Sequence, residues 1–295
     1  YCNQVFVTDS VEGIVPEFLM LLHGVIDSPD IPLNVSRSYL QSDANVKKIA
    51  SHITKKVADK LEEMFKNDRE DFEKKWDDIK VFMQYGVLTD EKFSERAQKF
   101  MLLKNIDGKY FTLEEYRKHI ETLQTNKEGN LVALYATNPE EQYAPIQTAK
   151  SRGYDILCMD SVLDMHFVNY LEQKLEKTSF ARVDADVIDK LIVKEEVLPS
   201  KLSKNEEENL KNWFEGIADK TKFTVQLENL SNDEAPIMIT QPEFMRRWAD
   251  MQKMSAATPF VNSDMQHYNL VINTNHDLIA SLLAETDENK RKEKT

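Results

Sequence analysis

The chain has 295 residues and a net charge of −13, and 41% of its residues are hydrophobic while 30% are charged. This composition predicts a folded protein of two or three domains and argues against nonspecific nucleic-acid binding, which needs clustered Lys and Arg. No apolar run approaches the ~18 residues of a membrane span. The two cysteines provide neither a disulfide framework nor a zinc site, so we expect a reducing, cytoplasmic compartment.

Residues 1–42 predict a short strand, then a mixed apolar stretch from Ile14 to Ile26, and then a polar loop. The chain opens with Tyr1 inside a strand-like pattern, so we expect it to be a piece of a longer protein. The polar stretch at 27–37 contains two prolines and no helical period, which predicts an ordered loop. Arg37 in this loop and Gln41 just after it are candidate ligand-contacting residues. An isolated loop arginine is more often simply solvated, and the residues alone identify no ligand.

Residues 44–103 are predicted to be helical throughout. Apolar residues recur at steps of three and four, giving a first stripe of Val46, Ile49, Ile53, Val57, Leu61 and Met64. The pattern then continues at Phe72, Trp76, Ile79 and Met83. A third helix is predicted to open at Thr89, with Asp90 and Glu91 at the positive end of its dipole.

Residues 104–184 alternate between helix and strand signals. Thr112 and Glu115 have the spacing of a capping box. The apolar runs at 131–135 and 156–159, each followed by a helix, predict a small, mainly parallel sheet covered by helices. The turn after the first run is acidic where a phosphate would need bare backbone N–H groups. We therefore expect a structural αβα layer and not a nucleotide site.

Residues 185–295 predict a further mixed unit. Ser203 opens a second capping box, residues 223–227 alternate like a half-buried strand, and strand partners are predicted at 236–239 and 268–272. The whole chain is therefore predicted to have an α+β or α/β fold. It would consist of αβα-layer subdomains joined by a helical coil and followed by a mixed α/β domain.

One further helix, predicted to begin after Thr240, is amphipathic. Its apolar side consists of Phe244, Met245, Trp248 and Met251. Arg246 and Arg247 are among the charged residues on the opposite side. A core helix and a partner-binding surface both fit this pattern, since methionine repacks easily against different partners.

No enzyme site follows from the residues alone. None of the six histidines has the spacing of a metal site, and there is neither a nucleophile elbow nor a nucleophile paired with a histidine. The glycines form no phosphate-binding motif. We therefore expect no metal site.

A long resemblance begins at Pro16. Pro-Glu-Phe-Leu at 16–19 and Gly-Val-Ile-Asp-Ser-Pro-Asp-Ile-Pro-Leu-Asn-Val-Ser-Arg at 24–37 closely resemble a signature of the ninety-kilodalton heat-shock chaperone family. The order of the segments is similar to that family from its mid-chain onward, and most similar to its bacterial HtpG type. Asn-Thr-Asn-His at 273–276 resembles the family's Asn-Pro-Asn-His turn, with threonine in place of proline.

The resemblance implies a division into four segments. These are the end of the large middle subdomain at 1–65, a helical coil at 66–103, a small αβα middle subdomain at 104–184 and a C-terminal domain at 185–295. It also implies an ATPase domain, with ATP and Mg²⁺, that precedes this piece in a homodimeric full-length protein. The piece alone is expected to bind no cofactor, to be inactive as an ATPase and to lack the final dimerisation helices.

The resemblance also implies roles for individual residues. The arginine that matches Arg37 contacts the ATP γ-phosphate in the family, supported by the glutamine that matches Gln41. A guanidinium suits this contact because its fixed charge can hold a phosphate bidentately. Unfolded client proteins are expected to bind the amphipathic helix at Phe244, Met245, Trp248, Met251 and Met254. A second client region is implied around Asp164, Met165, His166 and Asn169.

The sequence thus predicts the middle and C-terminal portion of an ATP-driven molecular chaperone. Its partners would be client proteins and its own ATPase domain, with no nucleic acid and no membrane. One alternative is a scaffold that uses the same surfaces for one fixed partner. A small-molecule enzyme seated on the αβα unit is a third reading, against which the missing glycine loop and catalytic pair argue.

Overall fold

The computed structural model describes residues 1, 4–6, 13–27, 29, 44–194, 198–232, 234–241, 245–247 and 267–285. The labelled helices are α1 (Ala44–Asn67), α2 (Arg69–Thr89), α3 (Glu91–Ala97), α4 (Leu113–Gln124), α5 (Tyr143–Ser151), α6 (Asp164–Lys174), α7 (Ile188–Leu191), α8 (Lys204–Ile217) and α9 (Asp277–Ala284). The strands are β1 (Leu102–Lys104), β2 (Tyr110–Thr112), β3 (Leu131–Ala136), β4 (Ile156–Cys158), β5 (Thr178–Arg182), β6 (Phe223–Glu228), β7 (Ile237–Thr240) and β8 (Tyr268–Asn273). The predicted mixed α and β fold is confirmed.

The chain divides into two compact units that do not follow the predicted segments. One contains residues 1–103, 110–116 and 161–170, and the other contains residues 104–109, 117–160 and 171–295. The four-segment division therefore stays a prediction. The short pair β1–β2 was not predicted, because strands of three residues are too brief to show a period.

Buried aromatic rings form the core of the first unit. The rings of Phe72 and Phe93 each lie against the ring of Phe100, with centroids 6.4 and 6.3 Å apart. Trp76 on α2 is fully buried beside Phe72, and Phe18 packs on Phe93. The apolar spacing in the sequence explains this core, because residues three and four apart face the same side of a helix.

Polar caps determine where the helices of this unit begin. Asp68 Oδ1 accepts a hydrogen bond from the backbone N–H of Asp71, and Asp90 Oδ1 accepts one from Phe93. Each cap satisfies a donor that the first helical turn leaves unpaired. Thr89 is the last residue of α2, and its hydroxyl donates to the carbonyl of Tyr85. The prediction that Thr89 opens α3 was therefore wrong by one residue.

The second unit contains the predicted parallel sheet, in the order β4-β3-β5. All six residues of β3 are buried, as expected for the central strand of a sheet covered on both faces. Helix α5 contributes Ile146 and Ala149 to the core above this sheet, and Ile188 on α7 joins them.

A second sheet in the same unit has the order β6-β8-β7, with β6 parallel and β7 antiparallel to β8. Leu210 and Phe214 on α8 pack with Ile279 on α9 against this sheet. The Ser203 capping box is confirmed, because Ser203 accepts from the N–H of Glu206 while the Glu206 carboxylate accepts from the N–H of Ser203.

The polar residues at the end of β8 are buried, and their side chains are hydrogen-bonded. Asn273, Thr274 and Asn275 are each at most 5% exposed. Asn273 Oδ1 accepts from the N–H of Leu230 at 3.2 Å, and Asn275 Oδ1 accepts from the N–H of Lys201 at 2.8 Å. Since buried amides must be hydrogen-bonded, this turn holds two separate loops against the end of β8.

We expect Gly86→Ala to destabilise the first unit. A Cβ at Gly86 would lie 2.5 Å from Phe18 Cδ2 and 2.8 Å from Phe93 Cδ1, so the rings must move. Overpacking costs about 1–3 kcal/mol, which outweighs the gain of roughly 1 kcal/mol in helix propensity. The measurement is the midpoint of denaturant unfolding.

Gly216→Ala on α8 is the matched control, because a Cβ there meets no atom within 4 Å. No steric clash offsets the gain in helix propensity, so this variant should be more stable by up to about 1 kcal/mol. Equal stabilisation by both substitutions would contradict the tight packing around Gly86.

Candidate functional site

The predicted site residues divide into two described and six undescribed positions. Asn169 and Met245 lie within the described residues. Those outside them are Arg37, Gln41, Phe244, Trp248, Met251 and Met254. The structure therefore describes the surroundings of Asn169 and of Met245, which belong to two different predicted surfaces.

The start of α6 is held by a buried carboxylate. Asp164 is fully buried, and its Oδ2 accepts from the backbone N–H of Ser161 at 2.7 Å. On α2, Gln84 Nε2 donates to Oδ1 at 2.6 Å and Lys80 Nζ donates to Oδ2 at 3.0 Å. A buried charge needs such partners, because an unpaired carboxylate in the interior is strongly destabilising. Asp164 is thus an anchor for α6.

Only some residues of the second predicted client region are at the surface. Asp164 and Met165 are buried, so neither is available to a bound protein. His166 is exposed, Val162 is 60% exposed just before the helix, and Asn169 is half-buried. Val162 was not among the residues predicted for this region, and its exposure follows from its position in a turn beside polar residues.

In the second unit, two adjacent arginines attach the described helical residues 245–247. Arg246 Nη1 donates to Asp184 Oδ2 at 2.7 Å, and its Nε donates to the carbonyl of Gln241 at 3.1 Å. Arg247 binds both carboxylate oxygens of Glu172, at 2.6 and 3.1 Å. Two parallel N–H···O bonds of this kind fix orientation as well as distance.

A backbone contact extends this attachment. Arg247 Nη2 also donates to the carbonyl of Phe180 in β5, at 2.5 Å. The side chains of Arg246 and Arg247 are only 12% and 15% exposed. We call the four residues Asp184, Glu172, Arg246 and Arg247 the arginine dock. It is far less exposed than an ordinary surface ion pair, so water screens it less.

The charges in the arginine dock are mutually stabilising. Burial by itself would raise the pKa of Asp184, but the hydrogen bond from Arg182 and the positive charges of Arg182 and Arg246 outweigh it. The pKa of Asp184 therefore lies below its usual range, and the carboxylate stays ionised at neutral pH.

The arginine dock shows what the polar side of the predicted amphipathic helix does. Arg246 and Arg247 lie opposite the apolar residues in the sequence pattern, and both are used to attach the chain to β5 and the end of α6. Met245 is half-buried. Sequence reasoning missed Glu172 and Asp184 as partners, because they lie 75 and 62 residues away with no local signal.

Thr-Gln-Pro-Glu at 240–243 has the spacing of a capping box for this helix, and only its first two residues are described. Thr240 is the last residue of β7 and is 5% exposed. Its Oγ1 has no hydrogen-bond partner among the described residues, and Glu243 lies outside them. The capping box therefore stays a prediction.

The described residues contain neither a metal-binding cluster nor a helix that could span a membrane. No cluster of three or more His, Cys, Asp or Glu side chains there could hold a metal ion. Within the same part of the chain, no helix has both the length and the apolar character needed to cross a membrane.

We expect Asp184→Asn to destabilise the second unit at neutral pH by about 1–3 kcal/mol, because it removes a charge bound by two arginines. The pKa of Asp184 is lower in the folded state than its ordinary value of 3.8. Its contribution is therefore present above pH ~4–5 and is lost as the pH falls through the lowered folded pKa. The difference between variant and parent should shrink at acidic pH.

Urea unfolding of both proteins at pH 7 and near pH 3 measures this difference. Glu208→Gln is the control, since Glu208 is an exposed carboxylate of the same unit without an ion pair among the described residues. A pH-independent effect of Asp184→Asn would show that the Asp184 charge does not stabilise the arginine dock.

Comparison with known proteins identifies the family of the chain. The family model described as Hsp90 protein matches residues 1–295. The curated protein "Chaperone protein HtpG" of Porphyromonas gingivalis (strain ATCC 33277) is 56% identical over 287 residues, which is 96% of this chain and 42% of that protein.

Further bacterial relatives show the same relation. The protein of the same name in Bacteroides thetaiotaomicron is 53% identical over 290 residues, or 97% of this chain and 43% of the relative. The one in Clostridium acetobutylicum is 27% identical over 303 residues, or 99% of this chain and 46% of the relative. The chain spans less than half the length of these relatives. Because the family model covers every residue, the chain belongs to the Hsp90 family.

Proposed function

We propose that this chain is the middle and C-terminal portion of an ATP-dependent molecular chaperone of the HtpG type. The observation that carries the proposal is the similarity of 96% of the chain to a bacterial protein named as a chaperone, at 56% identity. The full-length protein would hydrolyse ATP with Mg²⁺, form a homodimer and act in the cytoplasm. Its segments would follow the four-part division given by the sequence.

Arg37 is proposed to reach the γ-phosphate of ATP bound by an ATPase domain outside this chain, with Gln41 supporting it. The long signature at 24–37 supports this role. Arginine suits it chemically, because a permanently charged planar group can meet charge that develops on a phosphate.

Client proteins are proposed to bind the apolar side of the segment at 244–254. The arginine dock supports this assignment, because Arg246 and Arg247 use the polar side for attachment to the second unit. In the helix predicted from the sequence, the Met and Trp residues lie on the opposite side, and we propose that this side binds the partner. Such residues offer a large contact area without requiring one partner shape. Asn169 is proposed as a second contact, with its neighbour His166.

The main alternative is a scaffold with one fixed partner on the same surfaces. A chaperone should suppress the heat-induced aggregation of several unrelated proteins, measured by light scattering. A dedicated scaffold would leave that aggregation unchanged and bind a single protein. If the chain suppresses the aggregation of none of the test proteins, the result would therefore count against the chaperone proposal.

We expect Trp248→Ala to weaken the binding of an unfolded client about tenfold, because tryptophans are frequent energetic centres of interfaces. The unfolding free energy should change by less than about 1 kcal/mol if the side chain serves the partner. A fluorescently labelled unfolded protein reports affinity, and denaturant unfolding reports stability.

Trp213→Ala supplies the comparison, since Trp213 packs against the core around Leu210. It should lower stability clearly and leave client affinity nearly unchanged. A stability loss of about 3–5 kcal/mol in Trp248→Ala, with unchanged affinity, would place Trp248 in a core.

In the full-length protein, we expect Arg37→Ala to lower kcat for ATP hydrolysis by about 10³-fold and to leave ATP affinity nearly unchanged. An arginine that meets charge developing in the transition state contributes mainly to the rate. Turnover and nucleotide binding are measured separately. Lys47→Ala is the control, because Lys47 is an exposed cation on α1 with no proposed contact to ATP, and this variant should retain normal turnover.

A further inference from the structure

A cleft between α1 and α3 in the first unit has a strongly basic lining. The two helices pack against each other, and Arg96 on α3 joins Asp59 on α1 at 2.6 Å. The cleft has a volume of about 310 Å³. Its lining includes Lys48, His52, Thr54, Lys55, Lys92 and Arg96. Its volume is within the range of small-ligand sites.

Helical spacing brings these cations together. Lys48 and Lys55 are separated by two helical turns on one face of α1, with His52 between them. Lys92 and Arg96 are one turn apart on α3. Each helix therefore contributes a cationic row to the same cleft.

Only one of the four cations has a counter-charge in the described part of the chain. Arg96 pairs with Asp59, whereas Lys48, Lys55 and Lys92 form no ion pair with any described residue. Like charges that line one cleft repel each other, which disfavours the packing of the two helices. A concentration of positive charge is notable in a protein whose net charge is −13. A bound anion would remove the repulsion.

A buried hydroxyl lies in the same lining. Thr54 is 3% exposed, and its Oγ1 has no hydrogen-bond partner among the described residues. A buried hydroxyl without a partner costs roughly 1–3 kcal/mol, so such groups are uncommon. An oxyanion in the cleft would provide an acceptor for it.

We propose that this cleft binds a small multivalent anion of the phosphate class, such as inorganic pyrophosphate. Lys48, Lys55 and Lys92 supply the positive charge, since the lysine ammonium binds phosphates as a point charge. Thr54 supplies a neutral donor from within the cleft. Asp59 keeps Arg96 in place at one end and leaves the three lysines for the anion.

Calorimetric titration of the 295-residue chain with pyrophosphate, at constant ionic strength, tests the proposal. We expect saturable binding that Lys55→Gln weakens about tenfold, as for the loss of one charge-assisted hydrogen bond. Lys56→Gln is the matched control, because it removes the same charge from the next residue, which does not line the cleft. Absence of saturable binding, or equal weakening by both variants, would overturn the proposal.

Thr54→Val gives a second test that does not change the charge. The substitution keeps the shape and removes the unpartnered hydroxyl, so the unfolding temperature without anion should stay the same or rise. Pyrophosphate binding should weaken several-fold. A lower unfolding temperature with unchanged binding would overturn the proposal, because the hydroxyl would then serve the fold alone.

The source of the phosphate group is resolved by comparing ligands. Inorganic phosphate, pyrophosphate and a sugar phosphate are titrated under the same conditions. Tighter binding of the sugar phosphate than of inorganic phosphate supports a phosphorylated metabolite, and equal binding supports a free anion. Failure of all three to bind would overturn the proposal. These results do not depend on ATP turnover or client binding, so they are independent of the proposed function.

Discussion

The attachment of residues 245–247 depends on one kind of interaction, the half-buried pair between a guanidinium and a carboxylate. Arg246 and Arg247 attach the helical residues 245–247 to Asp184 and Glu172 with bonds of 2.6–3.1 Å. The planar fork of arginine makes these bonds directional, so they fix the orientation of residues 245–247. Removal of either carboxylate leaves a partly buried cation without its partner, which costs more than the pair itself contributes.

Satisfied buried polar groups recur at the other critical joints. Asp164 holds the start of α6 to α2, and Asn273 with Asn275 holds two loops at the end of β8. Each group is useful because it is buried, since a polar atom deprived of water must keep its partners. Thr54 is an exception among the described residues of the first unit, because its buried hydroxyl has no hydrogen-bond partner there and lines the basic cleft.

Much of the fold could be predicted because its signals are local. The capping box at Ser203 and the apolar stripes of α1 and α2 involve residues at most a few positions apart, and a single helix fixes their geometry. Continuous apolar runs also predicted β3 and β4 as buried parallel strands. The prediction failed where the signal is short, as in β1 and β2, and where two helices meet, as at Thr89.

The sequence by itself determined the helices, the parallel sheet, the amphipathic pattern around Met245 and the long signature that ends at Arg37. Only the tertiary structure decided that Asp164 is buried and bound by Lys80. It also decided that Arg246 and Arg247 bind Asp184 and Glu172. Finally, it decided that lysines of α1 and α3 line one cleft. These contacts join residues tens of positions apart. Periodicity reports which face of a helix is apolar, whereas the partner of a charge depends on which distant surface folding brings beside it.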